Sequence, residues 1–508
     1  MRLQKVIRLF GQLVLVAALA QVALAQNGSL NGFDDYVQKA MKEWEVPGVA
    51  IAIVKGDQIV LAKGYGVRKI GEPAAVDERT LFAIGSSSKA FTAAAVAMLV
   101  DQGKLKWDDP VTKYLPGFEM YDPYVTRELT VRDLLTHRSG LQRGDFLWYG
   151  SDLERDEIVR RARYLKPSWS LRSTFGYQNI MYLTAGQLVA KVSGQTWDEF
   201  IQQRIFAPLA MTSSSTSISA FKTADNVASP HAKVDEKINA IPWRNIDNIA
   251  PAGSINSNVL DMAQWVRLQL AQGAIKNERV FSAAAAKEMH ASQTIIRFEP
   301  PYSLWYPDAH FLNYGMGWFL SDYRGRKVVE HGGAIDGMRA EVALIPEEKL
   351  GLVILTNLNG SLMPVALMYR IFDSFLGAPT RDWSAELLKT TKTLEAQAQA
   401  AEKKQESERA SGTKPSLTLD KYAGVYHNDL YGDVKITGTD AKLNLRFGPA
   451  FTSDLEHWHY DTFRARFFAA GDAKIFVTFA LNAQGKIETL VLGMPGMADY
   501  PFKRVAEK

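Results

Sequence analysis

The chain has 508 residues, which is long enough for more than one domain with its own hydrophobic core. A formal net charge of +4 over this length is too small to indicate a nucleic-acid-binding surface, so we expect no nucleic-acid partner. Because cysteine is absent, disulfides, thiolate metal sites, cysteine nucleophiles and a lipidated cysteine anchor are all excluded.

The first 25 residues have the pattern of a secretory signal peptide. Three basic residues, Arg2, Lys5 and Arg8, precede an apolar run over residues 9–24, and Ala23-Leu24-Ala25 offers the small-x-small pattern that signal peptidases cut. Glutamines interrupt the run, which is short for a bilayer span of about 20 apolar residues. We predict cleavage after Ala25, a secreted or periplasmic mature protein and no stable membrane span. An uncleaved anchor is the alternative.

Residues 26–380 predict one mixed α/β domain. Helices are predicted over Phe33–Trp44, Ser86–Val100, Val131–Thr136, Asn179–Val192, Trp197–Phe206, Asp261–Leu270 and Met363–Phe375. Strands are predicted over Val49–Val54, Ile59–Lys63, Tyr314–Leu320, Lys327–Glu330, Arg339–Ile345 and Leu350–Thr356. Because the strands lie at both ends and most helices lie between them, we expect one sheet that unites both ends of this domain.

Residues 381–415 predict a charged helical linker. Leu387–Arg409 is rich in Ala, Lys, Glu and Gln and carries few large apolar side chains, which is typical of a solvated helix. Residues 416–508 show short alternating runs separated by turn residues, which predict a small β-barrel-like domain. Strands are predicted there over Gly432–Ile436, Leu443–Arg446, Thr462–Phe468, Lys474–Phe479 and Ile487–Leu492.

The strongest chemical signal is Ser86 with Lys89, at the start of an apolar, alanine-rich helix. Helix positions i and i+3 share a face, so the two side chains can touch. This S-x-x-K spacing also occurs by chance in surface helices, where the serine caps the helix and the lysine is solvated. Here Lys89 is the only charge between Arg79 and Asp101. Burial would depress its pKa and let it act as the base that activates a serine nucleophile.

Two further motifs could complete such a site. In Tyr177-Gln178-Asn179, the phenol could relay a proton to a leaving group, and the amide could hydrogen-bond both Lys89 and substrate. In Glu330-His331-Gly332-Gly333-Ala334, paired glycines would let a substrate lie against a strand edge, and a backbone N–H could complete an oxyanion hole. On that strand Glu330 should point to the opposite face, so it receives no role. Taken singly, each motif also fits ordinary packing or a glycine-rich turn.

In this order, the motifs S-x-x-K, Y-x-N and H-x-G resemble the penicillin-recognising serine hydrolases, most closely the class C β-lactamase family of esterases, D-aminopeptidases and related enzymes. Similar stretches are Leu134–Leu141 (LLTHRSGL), Pro251–Ser254 (PAGS) and Asn313–Trp318 (NYGMGW). The resemblance covers about Phe33 to Phe375. Residues 417–505 resemble the small β-barrel-like domain that is often appended to these hydrolases.

The resemblance implies a β-lactamase/transpeptidase-like α/β fold, with the site between a mixed sheet and a helical subdomain. It assigns acylation to Ser86, the role of base or proton relay to Lys89 and that of second acid/base to Tyr177. It assigns substrate binding to Asn179, His331, Gly333 and Ala334. Backbone N–H groups of Ser86 and Ala334 would form the oxyanion hole. We expect no cofactor and no metal, because the sequence contains neither H-E-x-x-H nor a cysteine-based ligand set.

One position departs from the β-lactamase pattern. Where β-lactamases of this type have K-T-G, this chain has His331-Gly332-Gly333. A lysine there would offer a permanent cation to a substrate carboxylate, whereas a histidine of ordinary pKa is mostly neutral at pH 7. The substitution favours esters, amides or D-amino-acid peptides over β-lactams.

The sequence therefore predicts an exported serine hydrolase that forms an acyl-enzyme at Ser86 on a small-molecule or peptide substrate, with β-lactams as a less favoured possibility. The alternative from another class is a non-catalytic sensor that binds penicillins or peptidoglycan fragments in the same cleft. A third reading makes the C-terminal domain an adhesive or carbohydrate-binding module. The oligomeric state stays open.

Overall fold

The computed structural model describes residues 30–276, 278–439, 442–467, 473–494 and 500–506. The predicted signal peptide lies outside these ranges. Within them, no helix combines the length and the apolar character that crossing a bilayer requires.

The α/β domain is built on one eight-stranded antiparallel sheet. Its strands are β1 Gly48–Lys55, β2 Gln58–Gly66, β3 Thr294–Ile296, β4 Leu312–Tyr314, β5 Phe319–Tyr323, β6 Arg326–Ile335, β7 Met338–Ile345 and β8 Leu350–Thr356. Their order across the sheet is β2-β1-β8-β7-β6-β5-β4-β3. Because β1 pairs with β8, with Val49 opposite Thr356, one sheet joins both ends of the domain, as predicted.

Helices cover both faces of this sheet. They are α1 Phe33–Glu43, α2 Ser88–Asp101, α3 Pro123–Glu128, α4 Val131–Leu134, α5 Arg155–Arg161, α6 Asn179–Ser193, α7 Trp197–Ile201, α8 Ala250–Gly253, α9 Val259–Leu270, α10 Ala283–Met289, α11 Tyr302–Trp305, α12 Met363–Leu376 and α13 Trp383–Ser407. Short ribbons pair Phe82–Ala83 with Asn256–Ser257, His231–Val234 with Lys237–Ala240, and Ala274–Ile275 with Glu278–Arg279.

Alternation along the strands divides the core into two layers. In β1, Ala50 and Ala52 pack towards α2, α6 and α9, which we call the helical layer. Val49 and Ile51 pack towards α1, α12 and the start of α13, which we call the outer layer. Because both faces are covered, the central strands are apolar throughout rather than alternating with polar residues. In the helical layer, α2 is buried along almost its whole length, which its small alanine side chains permit.

The structure corrects two predicted elements. The strand predicted over Tyr314–Leu320 is divided into β4 and β5, because the chain turns at Gly317, where φ is +79°. A Cβ at Gly317 would also lie within 3 Å of the backbone of Ala90 in α2, so this turn packs directly on the helix. The helix predicted from Ser86 instead begins with a 3₁₀ turn over Gly85–Ser87, and α2 proper starts at Ser88.

The predicted linker helix is longer at its start than expected and is anchored there. Trp383 at the first position of α13 is fully buried and stacks on Tyr369, with the ring centroids 4.7 Å apart. Its indole Nε1 donates a 2.7 Å hydrogen bond to Asp373 in α12. The second half of the helix is exposed, as its composition predicts. Only the N-terminal turns of α13 therefore join the outer layer.

The C-terminal domain is a closed eight-stranded antiparallel barrel. Its strands are β9 Gly424–Asn428, β10 Gly432–Thr439, β11 Lys442–Phe447, β12 Phe451–His459, β13 Thr462–Phe467, β14 Ala473–Leu481, β15 Ile487–Gly493 and β16 Phe502–Arg504. Sequence alone did not predict β9, β12 or β16. The exposed positions of β12 include residues of low strand propensity, such as Asp454, and here the neighbouring strands of the barrel outweigh that propensity.

The barrel is attached to the rest of the protein on two sides. Lys474 and Arg464 pair with glutamates in the exposed half of α13. On the other side, the barrel residue Phe451 packs beside Phe146, with ring centroids 5.9 Å apart. The neighbouring Gly150 lies so close that a Cβ there would be 2.8 Å from Phe451. The barrel therefore contacts the loop that contains residues 143–150.

We expect Trp383→Ala to lower the free energy of unfolding by about 3–5 kcal/mol, because it removes a buried indole and leaves a cavity between α12 and α13. Chemical denaturation followed by circular dichroism measures this loss. Lys389→Ala, on the exposed face of the same helix, should change the free energy by no more than about 0.5 kcal/mol. Equal, small effects of both substitutions would contradict the anchoring role of Trp383.

Candidate active site

Ser86 lies where the helical layer meets the edge of β6, and this contact requires glycine on both sides. A Cβ at Gly333 would lie 1.8 Å from the Ile84 carbonyl oxygen and 3.2 Å from the Ser86 nitrogen. Gly85 has a φ of +51°, and a Cβ there would lie 2.6 Å from the Ala334 nitrogen. The turn that carries Ser86 is therefore pressed against the backbone of β6, next to the N–H groups predicted to form an oxyanion hole.

The strand β6 has a free edge beside this serine. β5 pairs with β6 only as far as Glu330, which is opposite Phe319. Residues 331–335 continue β6 beyond that point and pair only with β7. Their other edge is free of a neighbouring strand, and it is here that the paired glycines predict an extended substrate to lie.

Lys89 points its amine at Ser86 from one turn further along the chain. The Nζ atom lies 3.2 Å from Ser86 Oγ, 2.7 Å from Asn179 Oδ1 and 2.7 Å from the carbonyl oxygen of Ala252. The side chain is completely buried. This burial, together with the nearby Arg143 guanidinium, holds the pKa of Lys89 well below its ordinary value.

The amide of Asn179 is held in one orientation by a second interaction. Its Nδ2 donates a 2.8 Å hydrogen bond to Asp145 Oδ1, so its Oδ1 faces Lys89. Asp145 also accepts hydrogen bonds from Arg143 Nε at 2.6 Å and from Trp148 Nε1 at 2.9 Å. Sequence reasoning missed both Arg143 and Asp145, because no motif or spacing in this loop marks them as part of the site.

Tyr177 closes the site on the opposite side of Ser86. It lines the same cavity as Ser86, and its ring centroid lies 4.8 Å from the amine of Lys89. Burial raises the pKa of Tyr177 above its ordinary value, although the nearby Ser86 hydroxyl and the Arg143 guanidinium act in the other direction. Tyr177 is therefore a neutral phenol at physiological pH.

His137, within the LLTHRSGL stretch, positions this tyrosine. The imidazole is fully buried, with its centroid 4.1 Å from that of Tyr177, and its Nδ1 accepts a 3.0 Å hydrogen bond from the backbone nitrogen of Gln178. Its own backbone has a φ of +54°, which is uncommon for a residue other than glycine. The LLTHRSGL stretch thus packs against the Tyr177 ring and fixes its position.

His331 is neutral, and both of its ring nitrogens are occupied. Burial, and then the charge of Lys89, lowers the pKa of His331 to about 3. Nδ1 lies 2.6 Å from the Gly332 carbonyl oxygen, which only accepts, so Nδ1 carries the ring proton. Nε2 then accepts from the Tyr314 hydroxyl at 3.0 Å. His331 can present its ring to a substrate, but it offers no free donor and no cation.

Two cavities open on either side of Ser86. The first has a volume of about 350 Å³ and is bounded by Asn179, Trp148 and Tyr149. The second has a volume of about 500 Å³ and is bounded by Tyr177 and His331. Gly333 lines the second cavity and Ala334 lines both. The structure thus brings the candidate residues together around one cleft. Among the residues it describes, no three metal-binding side chains are grouped as a metal site.

An antiparallel sheet joined to a helical layer, with a cavity-lining serine beside a buried lysine at their junction, defines the serine hydrolase class that contains β-lactamases and penicillin-binding proteins. Comparison with known protein families gives the same assignment. Residues 33–371, well over half of the chain, match the family model described as "Beta-lactamase", so the protein belongs to this family. Residues 408–504 match a "Domain of unknown function (DUF3471)", which corresponds to the barrel and the segment that joins it to α13.

Similar proteins come from fungi, bacteria and archaea. The chain is 29% identical to an unguisins hydrolase of Aspergillus violaceofuscus, over 91% of this chain and 87% of that protein. It is 24% identical to protein flp of Staphylococcus aureus, over 66% of this chain and 65% of that protein. Among solved structures, the octameric penicillin-binding protein homologue of Pyrococcus abyssi shares the fold, with a TM-score of 0.63, 23% identity and coverage of 93% of this chain and 99% of that one. The predicted fold class and family are confirmed.

We expect Gly333→Ala to lower kcat/KM by about a hundredfold, because the added Cβ forces β6 away from Ser86 and misplaces the reacting groups. Steady-state ester hydrolysis measures the change. Gly117→Ala is the matched control, since nothing lies within 4 Å of the added methyl group. Equal activities of the two variants would show that the close approach of β6 is unimportant.

Proposed function

We propose that this protein is an exported serine hydrolase that forms an acyl-enzyme at Ser86 on esters, amides or D-amino-acid peptides. The observation that carries the proposal is the set of three oxygens around the amine of Lys89. Two of them, Asn179 Oδ1 and the Ala252 carbonyl, can only accept hydrogen bonds and lie at 2.7 Å.

A neutral amine satisfies this arrangement. Its two N–H groups donate to Asn179 and Ala252, which leaves the nitrogen lone pair directed at Ser86 Oγ, 3.2 Å away. The complete burial of Lys89 favours the same neutral form. Lys89 is thereby prepared to take the proton of Ser86 as the hydroxyl attacks a carbonyl carbon.

The neutral phenol of Tyr177 supplies the complementary proton. When the tetrahedral intermediate collapses, Tyr177 protonates the leaving alcohol or amine, and the Lys89 ammonium returns a proton to the phenolate. In deacylation, Lys89 accepts a proton from the attacking water and passes it back to Ser86 Oγ as the acid departs. Each residue ends the cycle in its starting state, and the net reaction is hydrolysis.

The proposed substrate class follows from the lack of a cation at His331. A β-lactam or a peptide C-terminus presents a carboxylate, which a neutral histidine with no free N–H does not pair. Esters and amides need no such partner. The fungal relative that is named a hydrolase supports hydrolytic rather than sensory use of the fold.

Export is part of the proposal and has its own test. Mass spectrometry of the protein recovered from a producing cell should show an N-terminus at Gln26, as expected for cleavage after Ala25. An intact N-terminus would point instead to a retained anchor.

Mixing the protein with a chromogenic short-chain ester should give a transient acyl adduct in the intact mass, together with release of the chromophore. Ser86→Ala should give neither, because it lacks the nucleophile, whereas Ser407→Ala at the exposed end of α13 should behave as the unmodified protein. A stable adduct without turnover would favour the sensor alternative. Equal behaviour of all three proteins would refute Ser86 catalysis.

The pH dependence of kcat/KM should depend on the charges near Lys89. Activity requires the neutral amine, so it falls as the pH drops through the lowered pKa of Lys89. The Arg143 guanidinium lowers this pKa and the Asp145 carboxylate raises it. Arg143→Gln should therefore move the acidic limb to higher pH, and Asp145→Asn, which keeps an oxygen for Asn179, should move it to lower pH.

Complete pH–rate profiles measure these shifts. Lys104→Gln is the control, since it follows the far end of α2, about 20 Å along the helix from Ser86 at 1.5 Å per residue. Shifts of the same sign in both site variants would contradict the role of Lys89 as the titrating base.

A further inference from the structure

The second cavity continues past the free edge of β6 onto the outer face of the sheet. Near Ser86 it is bounded by Tyr177 and His331. At its far end it is bounded by Met368 of α12 and by Thr391 and Leu394 of α13. We call this far part the outer chamber.

Three polar residues face the outer chamber because of the strand register. Glu341 lies opposite Gly332, and Arg339 lies opposite Ala334. Ala343, two residues beyond Glu341, packs in the outer layer, so Arg339 and Glu341 share that face. Glu330, opposite Ala343, joins them there. As the alternation predicts, Glu330 therefore points away from His331.

This cluster contains buried polar atoms without a partner. Glu341 is only 3% exposed, yet its Oε1 has no hydrogen bond, and Arg339 Nε also has none. Both residues line the cavity. Leaving such groups unpaired costs free energy, so a ligand that pairs with both gains affinity. Gly332 leaves room beside this carboxyl group, because a Cβ there would lie 3.1 Å from Glu341 Oε2.

The charges in the cluster nearly cancel. Burial, together with the neighbouring Glu330 carboxylate, raises the pKa of Glu341 well above its ordinary value, so Glu341 is protonated and the negative charge of Glu330 balances Arg339. A charged ligand would find no net opposite charge there. A neutral group that both accepts and donates hydrogen bonds fits the cluster.

We propose that the outer chamber is a leaving-group subsite for an extended apolar chain that ends in a neutral amide. The amide oxygen accepts from Arg339 Nε–H, and its N–H donates to Glu341 Oε1. The leaving group belongs on this side because Tyr177, its proton donor, lines this cavity and not the first one. Placing the leaving group in the second cavity rests on the proposed function, in which Tyr177 is the proton donor.

Acetyl thioesters of alkylthiols test the subsite. The released thiol is measured with a thiol reagent, and the protein gives no background because it contains no cysteine. At equal chain length, we expect a carboxamide end to give a kcat/KM at least about tenfold above methyl, carboxylate and ammonium ends, because only the amide pairs both buried groups. A carboxylate or ammonium preference, or no preference, would overturn the proposal.

Glu341→Met should remove most of this preference. The amide-to-methyl ratio of kcat/KM is compared within each variant, so partial misfolding cancels. Glu347→Met, exposed in the turn after the same strand, is the matched control and should keep the ratio. An unchanged ratio in Glu341→Met would exclude a role for Glu341 in binding.

Binding without catalysis separates this inference from the proposed function. Ser86→Ala is titrated by calorimetry with the corresponding non-hydrolysable thioethers. Tighter binding of the amide-ended compound would support the chamber even if no thioester were hydrolysed. Equal binding of amide-ended and methyl-ended compounds would refute it, whether or not Ser86 is acylated.

Discussion

The proposed chemistry of this protein depends on one buried amine surrounded by oxygen atoms. Lys89 has no contact with solvent, and its neighbours Asn179 and Ala252 come from α6 and α8. The three helices must therefore be packed before this arrangement of the Lys89 amine exists. The apolar, alanine-rich face of α2 provides this packing, and it also supplies the desolvation that keeps the amine neutral. Core formation and the proposed activation of Ser86 thus have the same physical cause.

A second constraint is the backbone contact between the turn at Ser86 and strand β6. Gly85 and Gly333 have no room for a side chain, which brings the N–H groups of both segments to one point. Because β5 begins only at Phe319, opposite Glu330, no strand pairs with the same part of β6 on that edge. The site is therefore open on both sides of the serine. One cavity is bounded by the loop that contains residues 143–150, and the other extends to the outer face of the sheet.

The two C-terminal segments contribute to the walls of this cleft. Helix α13 is anchored by Trp383 and supplies Thr391 and Leu394 to the outer chamber. The barrel packs Phe451 against the loop that contains Asp145, which orients Asn179 and through it Lys89. Both the segment predicted as a linker and the C-terminal barrel are thereby connected to the candidate active site.

The sequence by itself determined the elements whose pattern is local. The S-x-x-K spacing places Ser86 beside Lys89 because helix geometry alone relates them, and the alternation of β6 separates Glu330 from His331. The family motifs led to Tyr177 and Asn179. Only the tertiary structure decided which distant groups meet: Asp145 on Asn179, the Ala252 carbonyl on Lys89, and Arg339 beside Glu341 at the outer chamber. These contacts depend on how separate elements pack, and no residue spacing along the chain encodes such packing.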